Sequence, residues 1–385
     1  MTILRNFLII VLAVFCGSCT SVSPSTSHQP SSGAVIAFVH ASVIPMDEER
    51  VLHDQTVVVA NGKIVEIGPS STVKAPSEAF RIDATGRYLL PALCDMHVHV
   101  LGEAWKLVLR PEAQAASNDI PYESFIFPYV ANGVTTIQAL SATREEIALR
   151  QQIERGEVLG PRMILARMID GPKKAWPPPL STWVATAAEA REAVYQAKAE
   201  GYDKIKVYSF LNKESYDAII SAADELGMDV IGHIPMSLSL DYVLGAKQKL
   251  IAHSEEVMKQ AGGRYDAERI DDFANRMKQH GVWMTPTLVT TQSLLELFDD
   301  TDKLLARPEA AYFRHPLEVG VWSFMVDNLY RPMPTEARQR IRDGFWRFQR
   351  PLTKAFHDRG GNLMAGSDTL IPGLVPGFGL HRELL

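Results

Sequence analysis

The sequence predicts an α/β protein whose main body is a TIM (β/α)8 barrel preceded by a small β domain, and three observations carry that expectation. The first is a rhythm in which a glycine ends a helix-like stretch and a short apolar strand follows. It recurs at Asn132-Gly133 before Val134–Ala139, Gly160-Pro161 before Arg162–Ala166, Gly201 before Lys204–Ser209 and Gly227 before Asp229–Ile234. It continues at Gly245 before Leu250–Ser254, Gly281 before Val282–Pro286 and Gly360-Gly361 before Asn362–Asp368. Glycine just past a helix followed by a short apolar strand is the helix-to-strand junction of a parallel sheet. The second observation is the count: with the apolar run Leu89–Val100 as the first strand, there are eight. The third concerns the alternative, an open doubly wound sheet, for which no Gly-x-Gly-x-x-Gly follows the first strand.

Taking the chain in order, residues 1–19 read as a signal peptide: Arg5 precedes the apolar segment Phe7–Phe15, and Gly17 and Ser18 lead to Cys19. The apolar run is too short to span a bilayer stably. The arrangement resembles a bacterial lipoprotein signal in which Cys19 becomes the lipidated N-terminus, although Cys16 stands where a leucine is usual. Attachment to a membrane through Cys19 therefore stands beside simple cleavage, and either implies an exported protein, periplasmic or membrane-anchored. Residues 20–33, rich in Ser, Thr and Pro, read as a flexible linker. Cys94 then has no partner for a disulfide and is expected to pack on the first barrel strand.

Residues 34–88 form the small β domain, read as antiparallel strands Val35–Val39, Thr56–Ala60 and Lys63–Ile67, with Asn61-Gly62 as a hairpin turn. The barrel occupies 89–385. Ala187–Glu200, with Thr186 as N-cap, and Ser215–Leu226 are two of its expected helices. Gly171–Pro179 after the third strand and residues 290–350 after the seventh both leave from the face that carries barrel active sites. The longer segment holds Tyr312, Phe313, Trp322, Phe324, Tyr330 and Trp346, either a lid over an apolar substrate or the core of a helical insertion. At 385 residues and 46% hydrophobic content the chain can bury such a core. A net charge of −6 without a basic run excludes a surface built on nucleic-acid phosphates.

Chemistry enters at the strand ends. His97 and His99 are two residues apart on the first strand, so they share a face and can reach one cation, which neutral imidazole binds well. Lys206 lies on the fourth strand, His233 on the fifth, His253 on the sixth, and Asp368 ends the eighth. Each follows its glycine by about one strand length, at the carboxyl ends where barrel enzymes keep their active sites. Lys204 competes with Lys206, which is preferred because it sits between Ile205 and Val207. Asp368 could alternatively cap a helix, and Tyr208 could meet substrate or pack.

These residues resemble the amidohydrolase superfamily of metal-dependent hydrolases, in its prolidase-like and imidazolonepropionase-like branch. Asn132-Gly-Val-Thr-Thr136, Ile205-Lys-Val-Tyr208, Gly232-His-Ile-Pro235 and Pro376-Gly-Phe-Gly-Leu-His381 extend the likeness. The resemblance implies that His97 and His99 bind one divalent metal, and His233 and His253 a second. It gives Lys206, carboxylated by CO2, the bridge between them, and makes Asp368 both ligand and catalytic proton acceptor. Two zinc ions are the expected cofactors, with manganese, cobalt or iron compatible with the bridge. The implied reaction is hydrolysis of an amide C–N bond, with a dipeptide of the Xaa-Pro kind or an N-acyl amino acid as substrate. Opening of a cyclic amide and a metal-binding scaffold without turnover are the alternatives. The family continues with an eighth helix and strands that complete a composite β-sandwich, so a chain stopping at Leu385 reads as truncated at its C-terminus. Oligomeric state is left open.

Overall fold

The computed structural model describes residues 35–100, 123–172, 176–312, 316–369 and 371–385. The expected signal peptide and linker lie outside the described residues, as do 173–175 of the first long loop and Phe313. The backbone forms two compact units, one ending at Pro91 and the other running from Ala92 to Leu385. Among the described residues no helix is long and apolar enough to cross a membrane.

The first unit is a sheet of β1 (Ile36–Val43), β2 (Leu52–Ala60), β3 (Lys63–Pro69), β4 (Phe80–Asp83) and β5 (Tyr88–Leu89). Asn61 and Gly62 take φ of 51° and 71°, the two left-handed positions of a tight turn whose twist matches its strands. The expected antiparallel unit needs correction. β1 pairs antiparallel with β2 but parallel with β4 and β5, because the chain leaving β3 crosses to the opposite edge of β1. Ala41, Val43, Val57 and Ala84 form its core.

The second unit is built on β6 (Leu93–Val98), β7 (Val134–Ala139), β8 (Arg162–Asp170), β10 (Lys204–Val207), β11 (Asp229–Gly232), β12 (Leu250–Ala252), β13 (Trp283–Thr285) and β14 (Asn362–Leu363). These eight are parallel neighbours in sequence order, with the two-residue β9 (Thr182–Trp183) paired to β8. The first and last meet: Met96 N–H donates to Ala365 O at 2.9 Å, Asp368 N–H donates to His97 O at 2.7 Å, and Val98 bridges to Thr369. Those contacts curl the sheet into the expected barrel. Ile205 and Val207 join the large core cluster. Lys206 between them must then face the opposite way, because neighbouring strand residues alternate.

The helices follow local chemistry. Ala187–Glu200 begins at Thr186, whose hydroxyl accepts from Glu189 N–H while the Glu189 carboxylate accepts from Thr186 N–H, and ends at Gly201 with φ 94°. The next helix runs Lys213–Glu225, two residues earlier than expected, because Asn212 takes the cap and accepts from Ser215 N–H at 2.7 Å. Cys94 is exposed rather than packed, since its neighbours Asp95 and His97 hold the buried positions of β6.

Candidate metal centre

At the end of β6, His97 is fully buried and neither ring nitrogen has a hydrogen-bond partner. Its Nε2 lies 3.3 Å from Asp368 Oδ1, and His99 Nε2 lies 3.2 Å from the same oxygen. One ligand atom from each of these three residues fits within 4.8 Å of the others. His99 Nδ1 is 2.6 Å from Ser141 Oγ, just past β7. Asp368 is set by the barrel closure and by Asp95, whose carboxylate accepts from Ser367 N–H at 2.9 Å and from Ser367 Oγ at 2.6 Å. Close approach explains Gly366: a Cβ there would stand 2.7 Å from the Cβ of His97.

Lys206 is 1% exposed, and burial pulls its ammonium down to about 8, against the opposing pull of Asp368 and Glu256. Lys204 is 3.5 Å from Asp229, which separates it from the histidines and leaves Lys206 as the lysine of this site. His233, immediately after β11, has Nδ1 3.1 Å from Glu256 Oε1 and 3.2 Å from Ser209 Oγ, and a buried Nε2 without a hydrogen-bond partner. His253, immediately after β12, has Nδ1 2.7 Å from Thr287 Oγ1. Its ring centroid is 4.5 Å from that of His97 and 5.0 Å from that of His233.

Burial pushes all four imidazoles below their ordinary range, His253 to about 3, so they stand as neutral donors at neutral pH. For Asp368, burial acts upward but is outweighed by the hydrogen bond from His99 and the positive charge around it, leaving a carboxylate. In Glu256, too, burial is overcome, here by His233 and Lys259, and its carboxyl stays well below the usual range.

His99, Lys206, His233, His253 and Asp368 line one cavity of about 210 Å³, with His97 directly behind. Its other wall is apolar, from Met168, Trp176, Leu180, Met325, Leu329 and Ile371, completed by Tyr208 and Tyr330. Both expected loops therefore contribute, and the aromatics of the longer one divide between the two roles offered for them, cavity and core. Among the described residues only Tyr330 of that group reaches the cavity. Trp322 is buried with Ala310 and Val375, Phe324 packs on the main core, and Trp346 is exposed. Met325 and the π-helical turn Val326–Tyr330 carry the roof.

Residues 88–370 match the amidohydrolase family. The chain belongs to that family. It is 46% identical over 54 residues to the imidazolonepropionase of Arthrobacter sp. (strain FB24), which is 14% of this chain and 13% of that protein. The chain matches 16% or less of the length of its curated relatives. Among solved structures, a putative prolidase from Bifidobacterium longum shares 22% identity with a TM-score of 0.64, over 91% of this chain and 77% of that one. A Xaa-Pro dipeptidase with methionine bound in its active site shares 19% identity with a TM-score of 0.64, over 91% and 84%. At these identities the likeness is one of fold.

The amidohydrolase family is metal-dependent, and the donor set here fits a divalent cation. A buried imidazole nitrogen without a hydrogen bond costs free energy, and both nitrogens of His97 and Nε2 of His233 are in that state. A cation among neutral imidazoles and a carboxylate would satisfy them. Sequence reasoning missed Ser141, Ser209, Glu256 and Thr287, the side chains that hold the imidazoles. No motif announces them, since each meets its histidine only through the fold.

Proposed function

We propose that this chain hydrolyses an amide C–N bond in a small molecule, a dipeptide of the Xaa-Pro kind or an N-acyl amino acid, with two divalent cations, zinc foremost. The observation that carries the reading is the convergence of Lys206, three imidazoles and Asp368 on one cavity with His97 behind. His97, His99 and Asp368 would hold one cation and His233 and His253 the other, with Lys206 as a carbamate between them. Burial supports the last role, because a lysine pulled down to about 8 offers the neutral amine that adds CO2. When bound, the cations supply an activated water and polarise the scissile carbonyl. Asp368 takes the proton of the attacking water and delivers it to the leaving nitrogen as the C–N bond breaks. The wall of Met168, Leu180, Met325 and Leu329 receives an apolar substrate group and keeps bulk water out.

The fold likeness to the prolidase and the Xaa-Pro dipeptidase supports the dipeptide class, while the imidazolonepropionase match supports a second reading, opening of a cyclic amide. The test is metal analysis of protein purified without chelator, followed by assays of Xaa-Pro dipeptides, N-acyl amino acids and cyclic imides. About two metals per chain, fewer in Lys206→Ala, with release of free amino acid, is the expected result. Cleavage of rings alone would overturn the acyclic reading, and metal without turnover would favour a scaffold. We further propose export, resting on Arg5, Phe7–Phe15 and Cys19. Cys19→Ala should move the protein from the membrane pellet to the soluble fraction if the cysteine is lipidated.

A further inference from the structure

The imidazoles of the site differ in what steadies them, and His233 stands apart. His99 and His253 each face a hydroxyl at Nδ1, from Ser141 at 2.6 Å and from Thr287 at 2.7 Å, while the carboxylate of Asp368, itself a proposed ligand, is 3.2 Å from His99 Nε2 and 4.0 Å from His253 Nδ1. A hydroxyl can donate or accept, so it does not choose which ring nitrogen carries the proton. His233 Nδ1 also has a hydroxyl, Ser209 Oγ, but faces in addition the carboxylate of Glu256 at 3.1 Å. A carboxylate only accepts, which fixes the proton on Nδ1 and leaves the lone pair on Nε2.

The same side chain grips His233 twice. Glu256 Oε2 accepts from Ile234 N–H, the peptide directly after His233, at 3.3 Å. Glu256 is 2% exposed and lies on the first turn of the helix Ser254–Lys259, which begins immediately after His253. The segment that presents one imidazole therefore also orients its neighbour. Lys259 Nζ, 2.7 Å from Oε1, holds the carboxylate from outside and is itself half-exposed and shared with Glu255 at 2.9 Å.

We propose that Glu256 is the positioning residue that presents Nε2 of His233 to the second cation, so that occupancy of the His233–His253 pair depends on one carboxylate that is not itself a ligand. The inference rests on the two-metal reading above. It explains why Nε2 is buried without a hydrogen-bond partner while Nδ1 has two.

The test uses the full chain, stripped of metal and titrated with cobalt(II) against a chromophoric chelator. Metal per chain, the visible cobalt spectrum and the melting temperature of the metal-free protein are read for the parent, His233→Ala, Glu256→Gln, Glu256→Ala and Lys259→Ala. Losing a carboxylate that orients a ligand costs roughly 10- to 100-fold in metal affinity. Both Glu256 variants should weaken the second cation by that factor and change the cobalt spectrum, as milder versions of His233→Ala, while the first cation stays. Lys259→Ala should stay within about twofold of the parent, because the grip on His233 remains. Glu256→Gln keeps the shape of the side chain, so the test stands even where Glu256→Ala fails to fold. Second-cation affinity in Glu256→Gln within about twofold of the parent would overturn the proposal alone. A parent that takes no second cation, with His233→Ala no different, would remove the two-metal reading and this inference with it.

Discussion

The two halves of the candidate metal centre stand at different places in the barrel. His97, His99 and Asp368 stand where the first and last barrel strands meet, and that seam is closed by the Asp368 amide on the His97 carbonyl and the Val98–Thr369 bridge, with Ser367 anchored on the Asp95 carboxylate and His99 steadied by the Ser141 hydroxyl. His233 and His253 follow adjacent strands and their amides donate to Val207 O and Thr285 O, but they lie away from the closing seam, and their rings face side chains from following segments, Glu256 for one and Thr287 for the other. Damage to the first half should threaten the closure of the barrel, whereas damage to the second should loosen a proposed ligand and leave the fold standing.

That contrast can be broken most severely at Asp368. Asp368→Asn keeps the amide that closes the barrel, so melting should stay near the parent while kcat falls roughly 10²- to 10⁴-fold, the contribution of a positioned proton acceptor. A fall in melting temperature to match would mean that the side chain, and not the main chain, holds this half. Next comes Asp95→Ala, which strands the Ser367 amide and leaves its hydroxyl with Thr369 Oγ1 alone. Chemical denaturation of the metal-free protein should show a loss of about 1–3 kcal/mol for such a group, and an unchanged midpoint would refute the anchoring role.

Thr287→Val is the counterpart in the other half. Losing the hydroxyl on His253 Nδ1 should weaken the proposed second cation roughly tenfold, with metal-free stability within about 1 kcal/mol of the parent. Equal losses in Asp95→Ala and Thr287→Val would erase the distinction between the halves. The smallest effect is a slope with pH and belongs to neither half. Glu146 is buried beside Thr143, and burial raises its carboxyl to about 7 against the hydrogen bonds from Thr143. A carboxyl whose folded pKa lies above its unfolded one contributes stability that is whole below about 4.5 and is lost as pH rises through about 7. Glu146→Gln should flatten this part of the denaturation profile between those values, and an undiminished slope would assign it elsewhere.

Much of this architecture was legible because its signals are local. The helix–glycine–strand rhythm marks each junction within a few residues. The two-residue period of a strand pairs His97 with His99, and the apolar flanks of Lys206 put it on the face opposite Ile205 and Val207. What could not be read depends on pairings made through space. The hairpin at Asn61-Gly62 does not say on which edge of β1 the chain will return, so the parallel pairing of β4 was invisible. Glu256 and Thr287 look like ordinary helix-start residues until the fold places them on His233 and His253. The aromatics of residues 290–350 read as a group, yet the π-helical turn carries Tyr330 to the cavity, while Trp322 on the preceding helix Pro316–Met325 packs in a core.

His253, Thr287 and Asp368 all have left-handed backbones, with φ of 68°, 48° and 51°. For residues other than glycine that geometry costs about 1–2 kcal/mol each, and threonine tolerates it poorly. Glycine at 287 would relax the chain and so look like an improvement to anyone selecting variants for heat resistance. It would also discard the hydroxyl that holds His253 Nδ1. A laboratory selection that scores survival on heating alone should therefore drift toward sturdier proteins that have lost their grip on metal.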